Sequence, residues 1–287
     1  DLSKELRSLR SDTRNVPIMK SKDLVEWTYC NTAFTNKTRP RFEPKAGIWA
    51  PDINYINGKY VLYYAMSVWG GEQTCGIGVA TADSPQGPFT DHGKMFRSNE
   101  IGVQNSIDPS LLQYEGRNYL VWGSFRGIYV IELTTDGLSI MPGAKKKRIA
   151  GTAFEAVYIH KHGDYYYMFA SIGSCCQGVK STYKVVVGRS KKVWGPYKDK
   201  TGKPMLKNGY SLVIGANDHF VGNGHGSQII QDDAGQDWLL YHGFSRSTPE
   251  NGRILLLDQI KWNQEGWPYV EGGSPSYETQ KAPVFNN

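Results

Sequence analysis

Along the chain, short runs of alternating apolar and polar residues are separated by turns rich in Gly, Asp, Asn and Pro, and no segment sustains a helical apolar period. One unit recurs as a turn followed by an aromatic strand that ends in a small residue. It reads NGKYVLYYAMS at 57–67, EGRNYLVWGS at 115–124, GDYYYMFAS at 163–171 and GQDWLLYHG at 235–243. Each copy is followed by a polar strand and a second turn, GVATADSPQGPF at 78–89, IELTTDGLSIMPG at 131–143, VVGRSKKVWGPY at 186–197 and DQIKWNQEGWPY at 258–269. A further copy of this second unit, IMKSKDLVEW, stands at 18–27. A repeat of roughly 45–70 residues carrying about four strands predicts propeller blades rather than a sandwich. The second unit occurs five times and the first four times. The chain is therefore predicted as all-β, a five-bladed β-propeller whose first blade lacks its inner strands. Residues 13–287 make up the propeller, and 1–12 are an atypical or altered N-terminal segment. The opening stretch DLSKELRSLRSDTRN is charged, offers only Leu2, Leu6 and Leu9 for burial, and reads as a short helix or a frayed tail.

Composition agrees with this pattern. The 287 residues include 32 Gly, 18 Tyr and 8 Trp, a turn-rich and aromatic-rich balance. No apolar run approaches the roughly 20 residues of a membrane-spanning helix, so no membrane span is expected. The net charge of +6 comes from 33 basic and 27 acidic residues. Its dense clusters are Lys145–Arg148 and, more loosely, Lys4–Arg14, which read as solvated segments rather than a nucleic-acid stripe. A neutral partner fits this charge as well as an acidic one. The chain begins at Asp1 without an apolar stretch resembling a signal peptide. Cys30, Cys75, Cys175 and Cys176 have no C-x-x-C spacing, which argues against structural zinc. Adjacent Cys175 and Cys176 could join only in a strained ring and are expected to be two buried thiols.

Three segments place an acid ahead of an inner hairpin: GIWAPDINYI at 47–56, NSIDPSLLQY at 105–114 and TAFEAVYIHK at 152–161. In a propeller such acids, Asp52, Asp108 and Glu155, would sit at the mouth of the channel. Hydrolysis of a glycosidic bond with inversion needs a proton donor and a base, their carboxyls about 6.5–9.5 Å apart. Glu155, among Ala153, Phe154, Ala156 and Val157, has the apolar neighbours that keep a donor protonated, with Asp108 as the nearby anion. An Asp before Pro is a turn residue far more often than a catalyst. His225 lies among glycines in FVGNGHGSQII at 220–230, where backbone could crowd round an imidazole that holds a metal or ligand. A structural histidine is the plainer alternative. Trp49, Trp69 and Trp122 could stack on sugar faces or fill the core.

Taken together, WAPD at 49–52, SIDP at 106–109, FEAVY at 154–158, SCCQG at 174–178 with STYKVVVGRS at 181–190, and GNGHGS at 222–227 resemble glycoside hydrolase family 43. The similarity is greatest to its arabinan-degrading endo-α-1,5-L-arabinanases and runs in order from about residue 13 to 270. The resemblance implies a secreted or periplasmic enzyme that hydrolyses α-L-arabinofuranosidic linkages of arabinan or arabino-oligosaccharides by inversion, using three carboxylates. It implies Glu155 as general acid and Asp108 as the acid that tunes and orients it. It also implies His225 as a residue that helps hold a calcium ion, largely through waters. Trp49, Asp52, Asn105, Ser124 and Arg253 fall at positions expected to touch sugar or the acid cluster. The family's general base is an Asp, usually followed by Pro, in the first blade's inner strand. No Asp-Pro precedes DTRN at 12–15, so the sequence as written is expected to be impaired. The alternatives are a β-xylosidase or α-L-arabinofuranosidase on the same scaffold, or a non-catalytic carbohydrate-binding propeller. Nucleic acid is not an expected partner.

Overall fold

The computed structural model describes residues 15–286. The expected atypical segment 1–12 lies outside the described residues. The chain divides into two compact units. One holds the described residues up to Lys20 together with Trp27–Arg148, and the other holds Ser21–Glu26 and Ile149 onward.

The first unit opens with a two-stranded antiparallel sheet of β1 (Pro17–Lys20) and β2 (Thr28–Thr32). Next comes a four-stranded meander of β3 (Gly47–Ile56), β4 (Lys59–Ser67), β5 (Gly76–Ala82) and β6 (Thr90–Arg97). After one helical turn, α1 (Ser98–Ile101), a second meander follows: β7 (Ser110–Tyr114), β8 (Arg117–Trp122), β9 (Ile128–Glu132) and β10 (Lys147–Ala150). The second unit holds the four-stranded sheet β11 (Glu155–His162), β12 (Tyr165–Ile172), β13 (Lys184–Ser190) and β14 (Ser211–Ile214). Its other sheet contains β15 (Phe220–Gly224), β16 (Ile230–Gln231), β17 (Asp237–Ser245), β18 (Arg253–Trp262) and β19 (Pro268–Tyr269), with β15 and β16 both pairing with β17.

The turn residues set these hairpins. Asn57 and Gly58 both take positive φ, as do Glu115 and Gly116, the conformation of a two-residue turn whose twist matches its strands. Ile56 accordingly faces Lys59, and Tyr114 faces Arg117. The aromatic strands read as nearly continuous apolar runs because both their faces are covered. In β4, Val61 and Tyr63 enter one core cluster with Leu120 and Trp122, while Leu62, Tyr64 and Met66 enter another with Phe34 and Ala80. In the second unit Tyr167, Phe169, Val185, Val187, Leu239 and Tyr241 share one core.

The described residues thus hold four sheets of blade size, where the repeats predict five blades. The fifth copy of the polar unit, at 18–27, contributes only β1 and the turn after it. There Asp23 accepts hydrogen bonds from the Val25 and Glu26 amides and the Ser21 hydroxyl, so the chain turns instead of continuing as a strand. Lys145–Arg148 is exposed, as expected of a solvated segment. Cys175 and Cys176 correct the sequence reading: they form a disulfide with each other and are not buried thiols. They lie in the connection from β12 to β13, with Cys175 half-buried and Cys176 exposed, where no apolar pocket shields a thiol. Among the described residues no helix is long and apolar enough to cross a membrane.

Candidate active site

The opening strands of three sheets share one backbone device. A bulge interrupts β3 between Trp49 and Asp52, β11 between Glu155 and Tyr158, and β15 between Val221 and Gly224. Ala50, Ala156 and Gly222 inside these bulges have φ of 28°, 53° and 67°. Asp108, two residues before β7, has φ 55°. A bulge adds a residue to one strand and re-aims the side chains beside it, and a non-glycine residue at positive φ costs about 1 kcal/mol or more. The first strands of three sheets therefore depart from regular pleating at or beside a candidate residue, and in the fourth the strained residue, Asp108, stands just ahead of the strand.

In the first unit, Trp49 is half-buried over Ala65, Cys75 and Ile107. Its ring lies 5.3 Å from that of Trp69, which is 79% exposed. The pair offers an accessible aromatic surface of the kind on which a sugar face stacks. Asn105 and Ser124 are brought together by a 3.0 Å bond from the Asn105 side-chain amide to the Ser124 carbonyl. The Asn105 backbone amide donates to the Glu72 carbonyl (2.8 Å), and Arg126 grips the Glu72 carboxylate with two bonds of 2.9 Å. Asp108 is 6% exposed and ends a loop pinned from below. The Ser106 hydroxyl donates to the Val103 carbonyl and accepts the Trp122 indole N–H, while the Ser106 amide donates to Ser98 Oγ. Asp52 has a different setting. Its buried carboxylate accepts the Asn54 side-chain amide at 2.7 Å and the Leu111 backbone N–H at 2.8 Å, the latter tying β3 to β7. Trp122 is fully buried and belongs to the core.

In the second unit, Glu155 is 7% exposed and pairs in register with Ser171. The Ser171 hydroxyl accepts the His225 amide at 2.8 Å, which holds the imidazole's backbone beside the acid's strand. Burial pushes the His225 imidazole below the usual histidine range; the Glu155 charge opposes this and the Arg253 charge adds to it. Arg253 itself is exposed at the start of β18. His242, which the sequence reading missed, joins this group. It faces Gly224 across the β15–β17 pair, its ring 6.4 Å from His225 and 5.7 Å from Tyr183. Burial, then His225 and Arg253, push it down to about 3. Neither of its ring nitrogens, both buried, has a partner among the described residues. The repeats do carry a signal for it: His242 stands in GQDWLLYHG where the other copies have Ala65, Gly123 and Ala170. An imidazole in the place of a small residue marks a copy put to another use.

Buried carboxylates and imidazoles at or near strand bulges of an all-β, blade-built chain, with a half-buried tryptophan against an exposed one, are the equipment of a glycoside hydrolase. Residues 7–268 match the model of Glycosyl hydrolases family 43, and the chain belongs to that family. It is 36% identical over 271 residues to the extracellular endo-α-(1→5)-L-arabinanase 1 of Bacillus subtilis, covering 90% of this chain and 80% of that protein. It is likewise 36% identical over 285 residues to the extracellular exo-α-(1→5)-L-arabinofuranosidase of Cellvibrio japonicus, covering 89% and 80%. Among solved structures, the Cellvibrio cellulosa α-L-arabinanase complexed with arabinohexaose matches with a TM-score of 0.82 at 34% identity, over 91% of this chain and 90% of that one.

Proposed function

We propose that this protein hydrolyses α-1,5-linked L-arabinofuranosyl bonds of arabinan with inversion, Glu155 acting as the general acid. The observation that carries the assignment is the setting of Glu155, a buried carboxyl at a strand bulge beside a neutral imidazole, in a chain over a third identical to arabinanases. In the reaction the protonated Glu155 carboxyl gives its proton to the glycosidic oxygen as the bond to the anomeric carbon breaks. Water attacks that carbon from the opposite face and loses its proton to a base. Asp108 is assigned as the anion that keeps Glu155 protonated until the bond breaks. The base is not assigned among the described residues. Trp49, with Trp69, supplies the stacking surface, and Asn105, Ser124 and Arg253 are assigned to substrate and acid positioning. Asp52 supports them through its bonds to β7. Five propeller blades over 13–287, and secretion as in the relatives named extracellular, complete the reading.

The calcium ion implied by family resemblance is tested by the donors present. Calcium takes six to eight oxygens, whereas the group here offers the His225 imidazole, the Glu155 carboxylate and the orphaned nitrogens of His242. These residues fit a cation held largely through its hydration water, with His225 and Glu155 beside it. Bound there, the ion would supply a fixed positive charge that stabilises the carboxylate left on Glu155 after its proton has gone to the glycosidic oxygen, while the Asp108 charge opposes earlier ionisation. Calcium added after EDTA treatment should raise the Tm of the native chain, and His225→Ala should remove the rise.

The deciding experiment is digestion of linear α-1,5-arabinan by the full-length protein, with the anomeric configuration of the first products read by NMR. Products of inverted configuration are expected. Retained configuration, or no turnover of arabinan alongside turnover of xylo-oligosaccharides, overturns the proposal. Cutting from chain ends is the second reading, favoured by the exo-acting Cellvibrio japonicus relative. Release of arabinose alone selects it, and a ladder of oligosaccharides selects internal cutting.

A further inference from the structure

We propose that His160, His162 and Asp237 form a binding site for a divalent transition-metal ion, zinc fitting best, remote from the hydrolytic residues. His160 and His162 are two apart on β11, so both project from one face of the strand. Asp237 is the first residue of β17. One donor atom from each of the three lies within 4.8 Å of the others. Ligands bound to zinc at about 2.0–2.1 Å stand roughly 3–4 Å apart, so closing the set takes shifts of about 1 Å.

The surroundings hold these side chains as ligands are held. Asp237 is buried, and its carboxylate accepts the Trp262 indole N–H at 2.7 Å on one oxygen and the Gln231 side-chain amide at 3.1 Å on the other. Its one ion-pair partner among the described residues is His162 Nδ1, at 3.7 Å. Two donors use only half of a carboxylate's acceptor sites and fix its orientation. Trp262 also stacks on His162, ring centroids 3.8 Å apart and planes within 7°, and lies 6.1 Å from the nearly parallel His160. One indole therefore positions all three side chains. The His162 side chain is 39% exposed, which leaves an approach for the ion and room for a water in a fourth position.

Two imidazoles and one carboxylate suit zinc and its first-row neighbours, whereas calcium and magnesium prefer all-oxygen sets. The site is separate from Glu155. The two ends of β11, Glu155 and His162, are seven residues apart, roughly 23 Å at about 3.3 Å per residue. An ion here would fasten β11 to β17 and so join the two sheets of the second unit.

The test is zinc titration of the EDTA-stripped full-length protein, read by calorimetry and by thermal unfolding. One zinc per chain is expected, with the Tm higher by about 5 °C at a hundredfold excess over Kd. Co2+ in its place should give the visible bands of a four-coordinate nitrogen–oxygen site. His162→Gln, at the most exposed ligand, and H160Q should each weaken zinc binding at least tenfold and abolish the Co2+ bands, while arabinan hydrolysis in zinc-free buffer supplemented with calcium stays at the native rate. Absence of saturable zinc binding by the native chain overturns the proposal, and so does unchanged binding by both variants. A variant that hydrolyses arabinan normally is folded, so its loss of binding counts for the site.

Discussion

Removing the Glu155 carboxyl should slow arabinan hydrolysis by about 10²–10⁴-fold. E155A should lose far less on an arabinofuranoside with a dinitrophenyl leaving group, which departs without protonation. Equal losses on both substrates would mean that Glu155 is not the proton donor. A second carboxylate answers to stability instead. Burial alone would raise the Asp232 carboxyl, but donors from Val284, Gln236, Trp238 and Ala234 outweigh it and hold the group below its usual range. A carboxyl lowered by folding stabilises the fold above its unfolded pKa of about 3.9, and that contribution is lost as pH falls through the folded value. Asp232→Asn should thus cost about 2 kcal/mol at pH 7 and make the remaining stability less steep in pH below 4, as read from urea unfolding at each pH. Sequence alone did not separate such carboxylates. Asp52 and Glu155 both precede apolar alternating runs, yet Asp52 caps the Leu111 amide of β7, a partner 59 residues away that no local pattern announces. His242 was legible only by comparing repeats, and Cys175 with Cys176 was misread because their exposure depends on a connection whose course the sequence leaves open.

The hairpins were the most legible elements, since Asn57-Gly58 and Glu115-Gly116 demand the turn that pairs their strands. The bulges were not, because Ala50 and Ala156 carry no side-chain sign that they will take positive φ. That conformation goes with the register shift in the strand pairing and not with local propensity. The Ser106 hydroxyl is one of the groups that tie the loop from 102 to 109 to its sheet. Ser106→Ala would leave the buried Trp122 indole without an acceptor and free the Ser106 end of the loop, costing about 1–3 kcal/mol. Because this loop carries Asn105 and Asp108, kcat on arabinan should fall along with the Tm. An unchanged kcat in a destabilised protein would separate the loop from the chemistry.

For the molecule as a whole, repeat counting foresaw an all-β chain of blade-sized sheets; it counted five blades, and the described residues hold four such sheets. The polar copy at 18–27 looks like the others in sequence but ends in a turn capped by Asp23. The net charge is +6, and the basic run Lys145–Arg148 is exposed to solvent. With a neutral polysaccharide as substrate there is no long-range field to screen. kcat/KM on arabinan should therefore vary less than twofold between 20 and 500 mM NaCl, and a steep decline would reveal steering of an anionic substrate instead. Of the eight tryptophans, Trp69 is the exposed one, and it lies against Trp49. The protein thereby carries its own optical reporter: acrylamide should quench this indole selectively, and an oligosaccharide settling on the pair should shield it and shift its emission to the blue.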